Sequence, residues 1–432
     1  MLNIKKLTGS SLRKDILWTV FTQVTILVCA FLTTKIVSSL YSVDDFGQYN
    51  IIRRSASVIS FTMLAGTGIA LPRYLSIYEN QGKYQKATNA VNSSIVFMLI
   101  MSIIVVLLGF LFRQNLTKAL ISSDNILLYS LALFYSFGLS ASSLLFAYYR
   151  GKNNFKFFSI SQILMQLLLI ISALCCEKSS LINLFLLWAG VTTLIALVFW
   201  CYENFKYRFI QFRIIKFEEL KKSITIISRY SAPRLIGDFF LFSFSAFPLI
   251  YIGEYEGLTN VAYFSVGFTL LHMITPLFSF LGVILLPYVS RSMANGTFSE
   301  TSVAIKKLSI LYLAVSILIT LIFWVFMPLL INIFFSEDYL VSTQLSRYLM
   351  LSLLPQSLYL LYRNPIDGAS VVPYNTVVLV ISFVIQVVTF CFSKNIMDYA
   401  MGFVLSSFVQ GVLSLMVWIY LKRKLLNNEY VK

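Results

Sequence analysis

The sequence predicts an all-α membrane protein of twelve transmembrane helices in two parallel six-helix lobes, with the N and C termini cytoplasmic. Three observations carry that reading. The 432 residues are 58% hydrophobic and only 12% charged, with a mean hydropathy of +0.80, whereas soluble domains carry about a quarter charged residues. Lysine and arginine fall overwhelmingly on one side of the expected spans. Sequence landmarks recur at nearly half the chain length.

A bilayer-spanning helix needs roughly 20 apolar residues. Long apolar runs bounded by charges or turn residues place spans at about 15–38, 47–71, 89–112, 125–149, 155–176, 180–202, 226–251, 260–289, 308–331, 340–362, 372–393 and 398–421. The first follows a short basic segment (Lys5, Lys6, Arg13, Lys14). It is too long for a signal-peptide h-region and no small-residue cleavage pattern follows it, so an uncleaved anchor is expected. With both termini inside, 25 of the 34 Lys and Arg lie in inner segments or, for Lys156 and Arg229, in the first turn of the span that follows, and 4 lie in outer loops, which sets the orientation by the positive-inside rule. The net charge of +16 is therefore mostly a topology signal, and no nucleic-acid partner is expected. One histidine and five cysteines (Cys29, Cys175, Cys176, Cys201, Cys391) provide neither a ligand cluster nor a CxxC spacing, so no metal site is expected.

The third observation is an internal repeat. Phe46-Gly47-Gln48-Tyr49-Asn50 at the start of span two matches Val261-Ala262-Tyr263-Phe264 at the start of span eight, with Tyr49 and Tyr263 214 residues apart. Leu71-Pro72-Arg73 matches Leu286-Pro287-Tyr288, Gly82 matches Gly296, and Tyr149-Arg150 matches Tyr362-Arg363. A half with an even number of spans ends on the side where it began, so the halves are parallel repeats. This divides the chain into an N-terminal six-helix lobe (1–202), a basic cytoplasmic linker (203–225) and a C-terminal six-helix lobe (226–432). Two such lobes facing a central cavity suit an alternating-access transporter.

The chain resembles the O-antigen flippases (Wzx-type), the polysaccharide transporter branch of the multidrug/oligosaccharidyl-lipid/polysaccharide (MOP) exporter superfamily, over nearly its whole length. The resemblance rests on the Lys-rich start, on Asp44-Asp45-Phe46-Gly47-Gln48-Tyr49 leading into span two, on the Leu71-Pro72-Arg73 exit, and on Tyr149-Arg150-Gly151-Lys152-Asn153-Asn154-Phe155 after span four. The inner loop at about 73–88 lacks the Gly-Asp-Arg-Gly-Arg pattern of major facilitator transporters. The resemblance implies a MATE-like fold and a bacterial inner-membrane protein of lipopolysaccharide biosynthesis. Such a protein moves an undecaprenyl-pyrophosphate-linked sugar repeat unit from the cytoplasmic to the periplasmic leaflet. It implies a lipid-linked oligosaccharide substrate, contact with membrane lipids, and a polysaccharide polymerase and chain-length regulator as partners.

Candidate site residues come from charge placed where it is costly, roughly 2.5 to 3.5 kcal/mol per ionised group at a helix centre. Lys35, Arg53, Arg54, Arg234 and Arg347 lie inside expected spans and are candidate ligands for pyrophosphate or acidic sugars. Lys35, close to the outer end of span one, can equally snorkel to the headgroups. Arg234 and Asp238 are four residues apart on one helix face, a spacing that also makes a purely structural ion pair. Asp238 and His272 near the midplane are candidate ion-coupling groups, with H+ or Na+ as counter-ion and no other cofactor. Pro233, Pro248 and Pro276 are candidate gating positions, because proline frees a helix carbonyl and kinks the helix.

Five basic residues against one clear acid within the spans favour an anionic cargo over cationic drugs. An enzyme reading, a membrane polysaccharide polymerase or lipid-sugar glycosyltransferase, rests on the acidic pair Asp44 and Asp45. Those two residues also suit helix capping at the start of span two. The outer loops are too short for a catalytic platform, so the chain is read as a transporter rather than an enzyme. A MATE-like drug exporter keeps the fold and changes the cargo.

Overall fold

A computed structural model describes residues 10–176, 180–207, 217–294, 298–370 and 372–429, apart from the side chains of some helix residues. The described residues form fifteen α-helices and one 3-10 helix, with no strand. Contacts divide the chain into two units, Met1–Tyr41 with Ile52–Leu235 and Ser42–Ile51 with Ile236–Lys432. Helix ends are called inner and outer below after the charge bias.

The first unit holds α1 (Ser10–Leu40), most of α2 (Val43–Leu64), α3 (Thr67–Asn80), α4 (Tyr84–Leu111), a short α5 (Arg113–Ile121), α6 (Ile126–Gly151), α7 (Phe155–Cys175) and α8 (Leu181–Tyr207). The second holds most of α9 (Phe217–Tyr255), then α10 (Leu258–Ala294), α11 (Phe298–Phe334), the 3-10 helix Glu337–Ser342, α12 (Thr343–Met350), α13 (Leu353–Ala369), α14 (Tyr374–Phe392) and α15 (Ile396–Glu429). Neighbours repeat between the units. The α6–α8, α3–α6 and α7–α8 pairs of the first recur as α13–α15, α10–α13 and α14–α15 in the second.

Among the described residues ten helices are long and apolar enough to span a membrane, and eleven if α2 and α3 are one bent span. Two expected spans differ from plain helices. Span two bends by 43° between α2 and α3, where Ala65 (φ 50°) and Gly66 (φ 72°) both adopt left-handed backbone. Glycine is required at 66 because a Cβ there would lie 2.7 Å from the Ser231 side chain. Expected span ten (340–362) is the end of the 3-10 helix followed by α12 and α13, with Leu351 and Ser352 between them. Its polar residues weaken the apolar signal: Ser346, Ser352 and Ser357 are fully buried. The expected linker at 203–225 is helical on both flanks, and residues 208–216 lie outside the described set.

In α4 and α11 the polarity is inverted relative to a soluble bundle. The buried positions of α4 include Asn89, Asn92, Ser93, Ser94 and Ser102, while Leu99, Ile103, Leu107 and Leu111 are exposed. In α11, Ser302, Ser309 and Ser316 recur every seven residues on the buried side, while Ile310, Leu311, Ile317 and Leu318 are exposed. Lipid is as apolar as leucine, so association relies on small residues, close packing and interhelical hydrogen bonds. Ser309 shares a 2.6 Å hydrogen bond with the Tyr362 hydroxyl, and the Ser357 hydroxyl lies 3.4 Å from that of Ser316.

Four prolines within helices free carbonyls that side chains answer. Proline lacks the N–H that the carbonyl four residues earlier would accept, and a bare carbonyl in an apolar setting is costly. The Gly68 carbonyl freed by Pro72 accepts from an Arg150 guanidinium nitrogen at 3.1 Å. The Trp324 carbonyl freed by Pro328 accepts from Arg347 Nε at 2.8 Å. The Phe244 carbonyl freed by Pro248 accepts from Gln386 Nε2 at 3.1 Å, and the His272 carbonyl freed by Pro276 accepts from the Thr275 hydroxyl at 3.1 Å. Three of these donors come from a different helix.

Candidate functional site

The sequence motifs acquire their partners in three dimensions. Ser42 precedes α2, its hydroxyl bonds the Asp45 carboxylate at 2.7 Å, and it accepts from the Asp45 amide at 3.2 Å, which is a capping arrangement. Asp44 accepts a hydrogen bond from the Thr259 hydroxyl at the start of α10. A Cβ on Gly47 would overlap the Leu258 carbonyl. The two repeat-related helix starts thus pack on one another. Phe46 and Tyr49 are fully buried there, with Phe46 edge-on to Tyr339 at 5.3 Å.

The Leu71-Pro72-Arg73 and Tyr149-Arg150-Gly151 motifs form a second dock. Arg150 satisfies the carbonyl that Pro72 frees, and a Cβ on Gly151 would lie 2.9 Å from the Pro72 Cα. Lys152 pairs with Glu79, Asn153 turns the chain with φ 53°, and the Asn154 side chain caps α7 by accepting from the Phe157 amide at 3.3 Å. Glu203, assigned to the linker from sequence, is instead buried in α8, where its carboxylate accepts from the Tyr148 hydroxyl at 2.9 Å.

The main polar cluster of the second unit is built on α9, α13 and α14. Asp238 of α9 pairs with Arg363 of α13 at 3.5 Å, with side chains 13% and 33% exposed. Asp367 lies one helical turn beyond Arg363. Asn375 of α14 donates to both the Arg363 carbonyl and the Asp367 carboxylate at 2.7 Å. The fully ionised cluster of two carboxylates and one guanidinium carries one net negative charge. It can hold or pass a cation or proton, which an arginine-only cavity cannot.

Arg363 and Asp367 were not among the sequence candidates, because α13 continues to Ala369, past the expected end of span ten at 362. Two signals could have found them: Arg363 is the repeat mate of Arg150, and Arg363 and Asp367 are four apart. The sequence offered Arg234 as the Asp238 partner. The observed pair is with Arg363, and the side chains of Pro233 and Arg234 lie outside the described residues.

The remaining candidates separate by surroundings. Lys35 is exposed near the outer end of α1, while Arg53 and Arg54 are half-buried in α2. Just beyond them, the Ser55 hydroxyl donates to the Leu120 carbonyl of α5 at 2.8 Å. Arg347 is engaged by the Trp324 carbonyl, and its guanidinium carbon lies 6.0 Å from the Trp324 ring centroid. His272 packs edge-on against Phe268 at 4.7 Å, and Phe268 in turn packs against Phe403 at 4.9 Å. Pro248 is buried in α9 and Pro276 half-buried in α10. Among the described residues no group of three His, Cys, Asp or Glu is arranged to hold a metal ion.

Comparison with known proteins bears on this geometry. Residues 12–293 match the family model described as polysaccharide biosynthesis protein, and residues 233–392 match the MatE model. No curated protein matches the chain. Similar solved structures include an inward-facing multidrug resistance MATE family transporter of the MOP superfamily, at a TM-score of 0.76 and 14% identity over 93% of this chain and 96% of that one. The lipid II flippase MurJ in an inward closed conformation aligns at 0.72 and 10% identity, covering 96% and 91%. A mutant form of the Vibrio cholerae MATE transporter VcmN aligns at 0.68 and 14%, covering 98% and 99%. These likenesses establish a shared fold. With nearly two thirds of its length inside one family model and its helices in MATE-like order, the chain belongs to the polysaccharide biosynthesis protein family and has the fold of the MOP-superfamily transporters.

Proposed function

We propose that this protein is a flippase of a bacterial inner membrane, with both termini cytoplasmic, working by alternating access. Its cargo is an undecaprenyl-pyrophosphate-linked repeat unit of O-antigen or a similar polysaccharide, carried from the cytoplasmic to the periplasmic leaflet. The observation that carries this reading is the polysaccharide biosynthesis match over residues 12–293. That range contains the adjacent half-buried pair Arg53 and Arg54, groups suited to pyrophosphate. The lipid II flippase of like fold adds support, since lipid movement is what its name states. Asp238, paired with Arg363 and on the helix before His272, is the proposed counter-ion coupling point for H+ or Na+. A polysaccharide polymerase and a chain-length regulator are the proposed partners.

A second reading, a MATE-like exporter of cationic drugs, is favoured by one observation. The MatE match at 233–392 encloses the Asp238–Arg363–Asp367 cluster, whose net charge is negative when ionised. Movement of a fluorescent undecaprenyl-pyrophosphate oligosaccharide across proteoliposome bilayers, with and without imposed proton or sodium gradients, separates the readings. The flippase reading expects movement that falls at least tenfold in a double Arg53→Gln, Arg54→Gln variant. It also expects Asp238→Asn to lose only the gradient-driven part. Efflux of a cationic dye with no lipid movement would replace it with the exporter reading.

A further inference from the structure

We infer that Gln386 is a positioning residue whose side-chain amide sets the bend of α9 at Pro248, so that making or breaking its bond to the Phe244 carbonyl switches α9 between two geometries. The inference rests on the transport reading only for its functional arm.

The argument begins with the proline. Pro248 leaves the Phe244 carbonyl without its helical donor, and Phe244 is 5% exposed. Gln386 on α14, 0% exposed, supplies a hydrogen from Nε2 at 3.1 Å. A carbonyl only accepts, so this contact fixes which end of the amide points toward α9. Among the described residues, Gln386 Oε1 is buried with no hydrogen-bond donor in reach. A side chain that buries a polar oxygen unpaired is a poor packing element. Leucine or methionine would fill the same space without that cost, so the donor end is what an apolar residue could not replace.

The surroundings make the bond two-valued. Phe240 and Phe247 of α9 meet Phe383 of α14 at 5.4 and 5.6 Å, and Phe247 meets Phe390 at 5.4 Å. These rings flank the bond on both sides and present no hydrogen-bond donor. Close packing at Gly237, where a Cβ would lie 2.7 Å from Thr376 Oγ1, holds the two helices together one turn before Phe240. When Gln386 releases the carbonyl, α9 must change its bend to find another donor or water. Asp238 lies ten residues before Pro248 on the same continuous helix, so a change of geometry at Pro248 acts between the segment that carries the Asp238–Arg363 pair and the outer end of α9.

A double-mutant cycle in the full chain tests this, using Gln386→Leu and Pro248→Ala. Alanine returns an N–H to the Phe244 carbonyl and makes Gln386 redundant. Amide hydrogen exchange of α9 peptides covering 240–255 is read in nanodiscs, and lipid movement in proteoliposomes. With Pro248 present, Gln386→Leu is expected to raise exchange and lower transport by about tenfold, the equivalent of one buried hydrogen bond. With Pro248→Ala present, the same change is expected to alter either readout less than twofold. Equal effects in both backgrounds, or none in either, overturn the inference. Gln386→Met, closer in shape, replaces the leucine variant if that protein is not recovered. Hydrogen exchange needs no cargo, so an incorrect cargo assignment removes only the transport arm.

Discussion

Replacing Arg363 with methionine probes the charge pair that ties α9 to α13. Asp238 and Arg363 are 3.5 Å apart and 13% and 33% exposed. Their Coulomb attraction is about 5 kcal/mol at an effective dielectric near 20. Partial solvent access to the guanidinium and the cost of desolvating both ions reduce this to about 2 kcal/mol of coupling. Arg363→Met leaves the Asp238 carboxylate without that partner and is expected to cost about 2–3 kcal/mol. Asp238→Asn is expected to cost less, about 1 kcal/mol, because Arg363 keeps Asp367 one turn away. With about 2 kcal/mol of coupling, the double variant should then cost about 1–2 kcal/mol, less than Arg363→Met alone. Melting followed by tryptophan fluorescence in one fixed detergent reads these differences. Each kcal/mol corresponds to about 2–4 °C in a unit of this size, so Arg363→Met should lower the midpoint by about 4–12 °C. A double variant whose loss equals the two single losses added, to within about 0.5 kcal/mol, would refute the pair as an energetic unit.

Other consequences follow from the docking contacts. Arg347→Lys keeps the charge but loses the Nε donor on the Trp324 carbonyl; it is expected to destabilise by about 1–2 kcal/mol, and Pro328→Ala in the same chain should restore most of the melting temperature. If Arg347→Lys melts like the parent but loses transport, Arg347 serves cargo rather than the helix. Gly47→Ala places a Cβ onto the Leu258 carbonyl, a backbone atom that cannot rotate away; a loss of about 2–3 kcal/mol is expected in the same melting assay, against near-neutral behaviour at Gly190, where a Cβ meets nothing. Ser42→Ala removes the cap at the start of α2 and should cost about 1 kcal/mol.

Much of the architecture was legible in the sequence. Spans are readable because hydrocarbon demands long runs of apolar side chains around an internally bonded backbone, and α4, α7, α8, α11, α14 and α15 lie close to where those runs placed them. The duplication was readable because the repeat landmarks do structural work. Tyr49, Tyr149 and Tyr362 are buried, Asp45 joins Ser42 in the cap at the start of α2, and Asp44 accepts from Thr259 on α10. Span ten was harder to place, since α12 and α13 trade apolar residues for serines that pack inward.

The sequence by itself determined that this is a helical membrane protein with a repeated half, because hydropathy and charge bias are properties of the linear chain. Which polar groups meet was decided only by the tertiary structure. A carbonyl freed by proline accepts from whatever donor the packing brings, and for Pro72, Pro248 and Pro328 that donor stands on another helix, from 23 to 142 residues away. The same holds for Asp238, which pairs with Arg363 on α13, a partner that its local spacing did not indicate. In a medium without water to satisfy buried polar groups, contacts between distant helices assign their partners, and local spacing cannot.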